Sequence, residues 1–265
     1  MRKKFGQNFL INPAIRKALV EALGCQSGEE VWEIGPGLGA MTALLLEKGL
    51  KTSAFEIDKG FIRILTQIFA EEENFTLIEG DVMKTWSGQK PAQFLLGNLP
   101  YNIAAALIAD FTEKGRLFER AVVTVQKETA LRMAARAGSP DYSSFSVLCA
   151  SAYRVKPLMT IHPSSFYPQP NVDSMGVLFE NKNQEVYPPV FYPLVRALFA
   201  SKRKTIKNNL TNFTASKEIC ASVLRENGLT GNERAENLEH EVFLSLAKSI
   251  GNMRIYNRDV NNRKY

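Results

Sequence analysis

Val31-Trp32-Glu33-Ile34-Gly35-Pro36-Gly37-Leu38-Gly39 joins an apolar run to a glycine-rich turn, and a helix is read over Met41 to Lys48. Glycines at a strand-to-helix junction allow a tight turn and let a ligand approach the main chain. A dehydrogenase loop looks similar, but two details differ. The spacing is Gly-x-Gly-x-Gly rather than Gly-x-Gly-x-x-Gly. Glu33 precedes the first glycine, where a carboxylate repels a pyrophosphate and suits the cationic end of a sulfonium cofactor.

The flanking sequence repeats the same alternation. Asn12-Pro13 reads as an N-cap with proline at the first helical position, opening a helix to about Leu23. Thr52 to Ile57 reads as a strand, and Asp58 caps a helix with apolar positions Phe61, Ile64, Leu65 and Ile68. Further strands are read over Phe75 to Ile78, Phe94 to Leu96, Ala121 to Val125, Tyr153 to Ile161 and Val172 to Phe179. Helices are read over Lys127 to Arg136 and Ser144 to Ala152. Such alternation predicts a parallel α/β sheet with right-handed crossovers. After Asn181-Lys182-Asn183-Gln184 only helices follow: Pro189 to Ala200, Thr205 to Phe213, Lys217 to Asn227 and Glu239 to Ile250. The expected division is residues 1–184 for the α/β domain and 185–265 for a smaller helical one, with 251–265 as a loose tail.

The richest chemistry lies after Phe94-Leu95-Leu96-Gly97, where Asn98-Leu99-Pro100-Tyr101 follows directly. Open α/β sheets bind ligands at the carboxyl ends of their strands. There, the Asn98 side chain and a Leu99 or Pro100 carbonyl can accept the protons of an exocyclic amine. The Tyr101 face can stack on the base that carries it. This set suits methylation of an adenine at N6. Glu56 lies 56 − 37 = 19 residues beyond Gly37 and can accept both ribose hydroxyls of an adenosine. Asp81, next to Val82, can accept from an adenine amine. Helix capping or a solvated strand end would explain either acid alone. Three acids at successive strand ends beside the glycine loop favour S-adenosylmethionine.

Composition sets the frame. The 265 residues are 45% hydrophobic and 23% charged, the profile of a soluble globular protein. Lys and Arg exceed Asp and Glu by 33 − 27 = 6, which favours a polyanionic partner. The positive charge clusters at Arg2, Lys3, Lys4 and at Lys202, Arg203, Lys204, Lys207. No apolar run approaches the ~20 residues that cross a bilayer, and no apolar segment follows the basic start, so neither a membrane span nor a signal peptide is expected. Cys25, Cys149 and Cys220 are far apart, and His162 and His240 are the only histidines, so no metal site is expected. A cytoplasmic setting follows.

These motifs together resemble the KsgA-type ribosomal RNA adenine dimethyltransferases, over essentially the whole chain. Arg2-Lys3-Lys4-Phe5-Gly6-Gln7-Asn8-Phe9-Leu10 resembles the family's N-terminal motif. Glu33 to Gly39, Glu56, Gly80-Asp81-Val82 and Gly97 to Ile103 resemble its cofactor and catalytic motifs. Phe166-Tyr167-Pro168-Gln169-Pro170-Asn171-Val172-Asp173-Ser174 resembles its second aromatic motif. Phe199 to Leu210 and Arg234 to Leu238 resemble its helical domain. The chain departs from the pattern near Ser201, where a second arginine or a glutamine is common, and at Ala235, where proline is.

The resemblance implies a Rossmann-like class I S-adenosylmethionine-dependent methyltransferase sheet with a smaller all-helical C-terminal domain. It implies dimethylation of two adjacent adenines near the 3′ end of small-subunit (16S) rRNA, within a ribosomal subunit or assembly intermediate, by a monomer. Asn98, Leu99, Pro100, Tyr101 and Phe166 would be catalytic, with Tyr101 and Phe166 sandwiching the base and Tyr167 the alternative on the same loop. Gln7, Asn8, Leu10, Gly35, Gly37, Glu56, Ile57, Asp81, Val82 and Asn98 would hold the cofactor. Arg2, Lys3, Lys4, Lys202, Arg203, Lys204 and Lys207 would contact RNA, although a solvated helix face is the usual meaning of a charge run. The rival readings are a large-subunit rRNA adenine methylase of the macrolide-resistance type and a ribosome-assembly factor with secondary catalysis.

Overall fold

The structure, a computed structural model, describes residues 8–101, 103–115, 118–182, 187–201 and 203–252. Two compact units are present: residues 1–131 with 152–182, and residues 132–151 with 183–265. The expected single cut at 184 is therefore refined, because Arg132–Ser151 groups with the helical unit. The reason is burial: Tyr142 and Val147 belong to the same apolar core as Phe191, Leu194, Leu210 and Phe243.

The first unit begins with β1 (Phe9–Leu10) and α1 (Pro13–Ala22). The Asn12 side chain accepts from the Ala14 and Ile15 amides at 3.0 and 3.2 Å, satisfying donors that a helix start leaves orphaned. Then follow β2 (Glu30–Ile34), α2 (Ala40–Glu47), β3 (Lys51–Glu56), α3 (Lys59–Ile68), β4 (Phe75–Glu79), α4 (Val82–Thr85), β5 (Phe94–Asn98), α5 (Ala104–Glu113) and β6 (Arg120–Gln126). After α6 (Lys127–Ala134) and α7 (Ser144–Ala152) come β7 (Tyr153–Ile161), β8 (Phe166–Tyr167) and β9 (Ser174–Asn181).

Seven strands form one sheet in the order β4-β3-β2-β5-β6-β9-β7. The first five run parallel, while β9 is antiparallel to both β6 and β7. The expected parallel sheet is thus a mixed one. The chain moves outward from β2 through β3 to β4, then returns to β5 on the other side of β2. That reversal makes the β2/β5 junction the topological switch point, where a crevice opens at the carboxyl edge. Ile34 pairs with Gly97 there, so Gly35 and Asn98 emerge side by side.

The α3 helix turns a different face inward than its apolar spacing suggested. Phe61, Ile62 and Leu65 are buried, whereas Ile64 and Ile68 are 37% and 59% exposed. Phe69, just past the helix, completes the cluster with Phe61 and Leu65. A second sheet of two strands pairs β1 antiparallel with β8, placing Phe9 opposite Tyr167 and Leu10 opposite Phe166.

The second unit adds α8 (Phe191–Phe199), α9 (Ile206–Thr214), α10 (Lys217–Glu226) and α11 (His240–Asn252). The α11 helix carries residues 251 and 252, so the expected tail starts later, and residues 253–265 lie outside the described ones. Among the described residues no helix is long and apolar enough to cross a membrane, and no cluster of three metal-ligating side chains occurs.

Candidate active site

The turn after β2 needs its glycines. Gly35, Gly37 and Gly39 all have positive φ, which L side chains rarely adopt. At Gly37 a Cβ would also stand 2.8 Å from the Phe9 ring, so that position is closed to any side chain. Phe9 in turn packs edge-on against Phe61 at 5.3 Å between centroids. The N-terminal strand therefore lies across the glycine loop.

Glu33 is fully buried in β2. Thr42 Oγ1 donates to its Oε2 at 2.6 Å, while Oε1 has no hydrogen-bond partner among the described residues. Burial, helped by repulsion from Glu56 and opposed by the Thr42 bond, pushes its pKa up to about 7. Glu56, at the end of β3, is also buried, yet its carboxylate is well satisfied. Oε2 accepts from the Gly37 amide at 3.2 Å, and Oε1 accepts from Ile57 and Asp58 amides at 2.9 and 2.8 Å. Burial raises its pKa, and the three amides act against that rise. The next residue, Ile57, is an exposed large apolar side chain at a strand end.

Asp81 follows β4 and caps α4, its Oδ1 accepting from the Met83 amide at 3.0 Å. Capping, one of the two readings of this residue, is thus real; Val82 beside it is buried. Because β4, β3 and β2 are neighbours, Asp81, Glu56 and Glu33 line consecutive strands at one edge.

Asn98 ends β5, and its Nδ2 donates to the Asn8 carbonyl at 2.8 Å. The Leu99 amide donates to the Thr124 carbonyl at 3.1 Å, so the chain stays tied to β6 as it leaves the sheet. The Pro100 carbonyl accepts from both Ile103 and Ala104 amides, closing the turn that starts α5. Tyr101 is half-buried, and its hydroxyl is hydrogen-bonded to the buried Ser174 Oγ at the start of β9. Burial raises the Tyr101 pKa and the Ser174 bond opposes this, so the ring carries a neutral, anchored hydroxyl.

Phe166 stands apart from this group. It is 1% exposed, pairs with Leu10 and packs among Leu10, Leu19 and Ile161. Strand alternation turns Phe166 toward the core and its neighbour Tyr167 outward, 64% exposed. Leu10, expected to hold the cofactor, is likewise a core residue. Sequence reasoning missed Phe9, Ser174 and the Asn8 main chain. Phe9 and Ser174 lie inside quoted motifs, but only the folded pairing shows what they touch.

The basic residues are partly visible. Arg2, Lys3, Lys4, Gln7 and Lys202 lie outside the described residues. Arg203, Lys204 and Lys207 are exposed. Lys204, Lys207, Asn208, Asn212 and Lys217 line an open groove of about 670 Å³ along α9 and the start of α10.

The family model for ribosomal RNA adenine dimethylases matches residues 1–252. The chain belongs to the ribosomal RNA adenine dimethylase family. Curated relatives are similar along most of their length. The Treponema denticola protein named ribosomal RNA small subunit methyltransferase A is 50% identical, covering 96% of this chain and 90% of the relative. The Borreliella burgdorferi protein of the same name is 41% identical over 94% and 88%. Among solved structures, a dimethyladenosine transferase from Plasmodium falciparum superposes with a TM-score of 0.78 at 28% identity, covering 90% of this chain and 95% of that one. The 23S rRNA methyltransferase ErmE superposes with a TM-score of 0.69 at 20% identity, over 91% and 99%, a likeness of fold.

S-adenosylmethionine is the methyl donor of this dimethylase family. The residues present fit it: the loop closed to side chains at Gly37, the orphaned Glu33 Oε1 and the unused acceptor capacity of the Glu56 carboxylate.

Proposed function

We propose that this chain dimethylates N6 of two adjacent adenines near the 3′ end of small-subunit rRNA, in a ribosomal subunit or assembly intermediate. The orientation of Asn98 carries this reading. With Nδ2 committed to Asn8, Oδ1 is the atom of that amide left to face a substrate amine. The adenine N6 lone pair is delocalised into the ring and is a poor nucleophile. Accepting its protons at Asn98 Oδ1 and the Leu99 carbonyl favours a pyramidal nitrogen with its lone pair free. The Pro100 carbonyl is taken by two amides, which is why Leu99 is the better second acceptor.

Bound S-adenosylmethionine supplies the electrophilic methyl group. Glu56 would hold its ribose, Ile57 and Val82 its base, Asp81 the base amine, and Asn8, Gly35 and Gly37 its amino-acid end. Tyr101 would stack on the extruded adenine, with its orientation set by Ser174. Orientation and placed dipoles then carry most of the catalysis, and the amine loses its proton after attack. In the second round the amine has one proton left, so one acceptor suffices.

Arg203, Lys204 and Lys207 would contact phosphates, positioning the RNA rather than reading it. The enzyme would act as a monomer in the cytoplasm, with no metal. The test offers labelled S-adenosylmethionine with unmethylated small subunits, large subunits and free rRNA. Label in small-subunit rRNA supports the reading. Label confined to large-subunit rRNA would replace it with the macrolide-resistance type, and no label anywhere would favour an assembly factor.

A further inference from the structure

Tyr167 is a large aromatic side chain left 64% exposed on the strand paired with β1, and the proposed mechanism assigns it no role. Its position is set by a chain of main-chain bonds. Asn98 Nδ2 donates to the Asn8 carbonyl at 2.8 Å. Phe9, the next residue, stands directly opposite Tyr167 in the β1–β8 ladder, and the Ile11 amide extends that ladder by donating to the Ser165 carbonyl at 2.8 Å. Opposed Cα atoms in such a pair lie about 5 Å apart, which puts Tyr167 within roughly 10 Å of the Asn98 amide. Opposed side chains share a face, so Tyr167 lies on the side of Phe9, the residue that covers Gly37. Phe166 fills the core side and holds the strand in place.

We propose that Tyr167 is a stacking platform for the nucleobase next to the adenine being methylated. This rests on the RNA reading of the site given above. Every nucleobase offers a π-face, and stacking on an aromatic side chain is tolerant of base identity. The platform would hold the neighbour of the extruded adenine while Asn98 and Tyr101 hold the target itself.

The experiment uses the full chain and unmethylated small subunits. Y167A should raise KM for the subunits about tenfold, with S-adenosylmethionine affinity unchanged, and Y167F and Y167W should restore it. Trp32 and Trp86 are buried and shielded from contact with a base, so loss of emission on binding reports on the new side chain, and Y167W should be quenched as subunits saturate. In subunits reconstituted with an abasic nucleotide beside the target, Y167A and the unaltered enzyme should methylate with equal KM. Unchanged KM for Y167A, or no quenching of Y167W at saturation, would overturn the proposal. An equal penalty with and without the neighbouring base would also overturn it, assigning Tyr167 to the target adenine instead. Failure of the unaltered enzyme to methylate small subunits would count against the RNA reading itself, a separate result.

Discussion

The Asn98 side-chain amide is held by the main-chain carbonyl of Asn8, ninety residues earlier, at 2.8 Å. One end of β5 thereby depends on the strand that also lies over the glycine loop. The bond does two jobs at once. It decides which atom of the amide faces the crevice, and it ties the N-terminal strand to the catalytic turn.

Asn98→Ala removes both the tether and the proposed acceptor. The turnover number on small subunits should fall by about 10²-fold or more, in the range found when one oriented dipole is deleted from an active site. Asn98→Asp keeps an acceptor but sets a carboxylate against the Asn8 carbonyl, and should also lose most activity. Single-turnover assays at saturating cofactor check this. Near-normal turnover in Asn98→Ala would remove the residue from the mechanism.

Ser174 and Tyr101 come from motifs far apart in the chain, yet their hydroxyls are bonded. Ser174→Ala should loosen the Tyr101 ring without touching the glycine loop. The expected result is a severalfold higher KM for subunits, unchanged S-adenosylmethionine affinity and rescue by Ser174→Thr. A parallel loss of cofactor affinity would mark the bond as merely structural.

Glu33 makes stability depend on pH. Its pKa is about 7 in the fold and near the ordinary 4.5 when unfolded, because burial disfavours the charge. Between those values the native state holds a proton that the unfolded chain releases. Stability is therefore highest below about pH 4.5 as far as this group is concerned, and falls as pH rises toward about 7. Above that the native carboxyl ionises too and the loss levels off. Glu33→Gln should flatten this part of the profile and gain stability relative to the parent at pH 8. Denaturant melts at pH 5, 6, 7 and 8 read it directly; identical slopes for both proteins would contradict the assignment.

The exposed basic run before α9 is tested by charge reversal. Arg203→Glu combined with Lys204→Glu should weaken RNA binding and make its salt dependence shallower, because fewer phosphates are neutralised. Cofactor binding should survive. Unchanged RNA affinity would return these residues to the solvated-face reading.

The alternation of strands and helices was legible in the sequence because apolar runs, caps and glycine turns agree with one another. Asn12, Asp58 and the glycine loop announce element ends through local chemistry alone. The antiparallel insertion of β9 was not legible, since strand direction depends on distant pairing rather than on local pattern. The α3 face was misjudged because Ile64 and Ile68 continue the helical spacing, while Ile62 and Phe69 are what the neighbouring packing takes up. In the site, Asn98, Glu56 and Tyr101 could be found from strand-end positions. Phe166 could not be told from Tyr167, because two adjacent aromatics on a short strand differ only in which way the ladder turns them. The grouping of Arg132–Ser151 with the helical unit likewise rests on core contacts that no local signal carries.

The most direct test of the central claim is mass-spectrometric mapping of rRNA after unmethylated small subunits have been incubated with this protein and S-adenosylmethionine. The account predicts dimethyladenosine at two adjacent positions near the small-subunit 3′ end, lost in Asn98→Ala. Methylation at any other site, or product that stops at a single methyl group on each adenine, would contradict it.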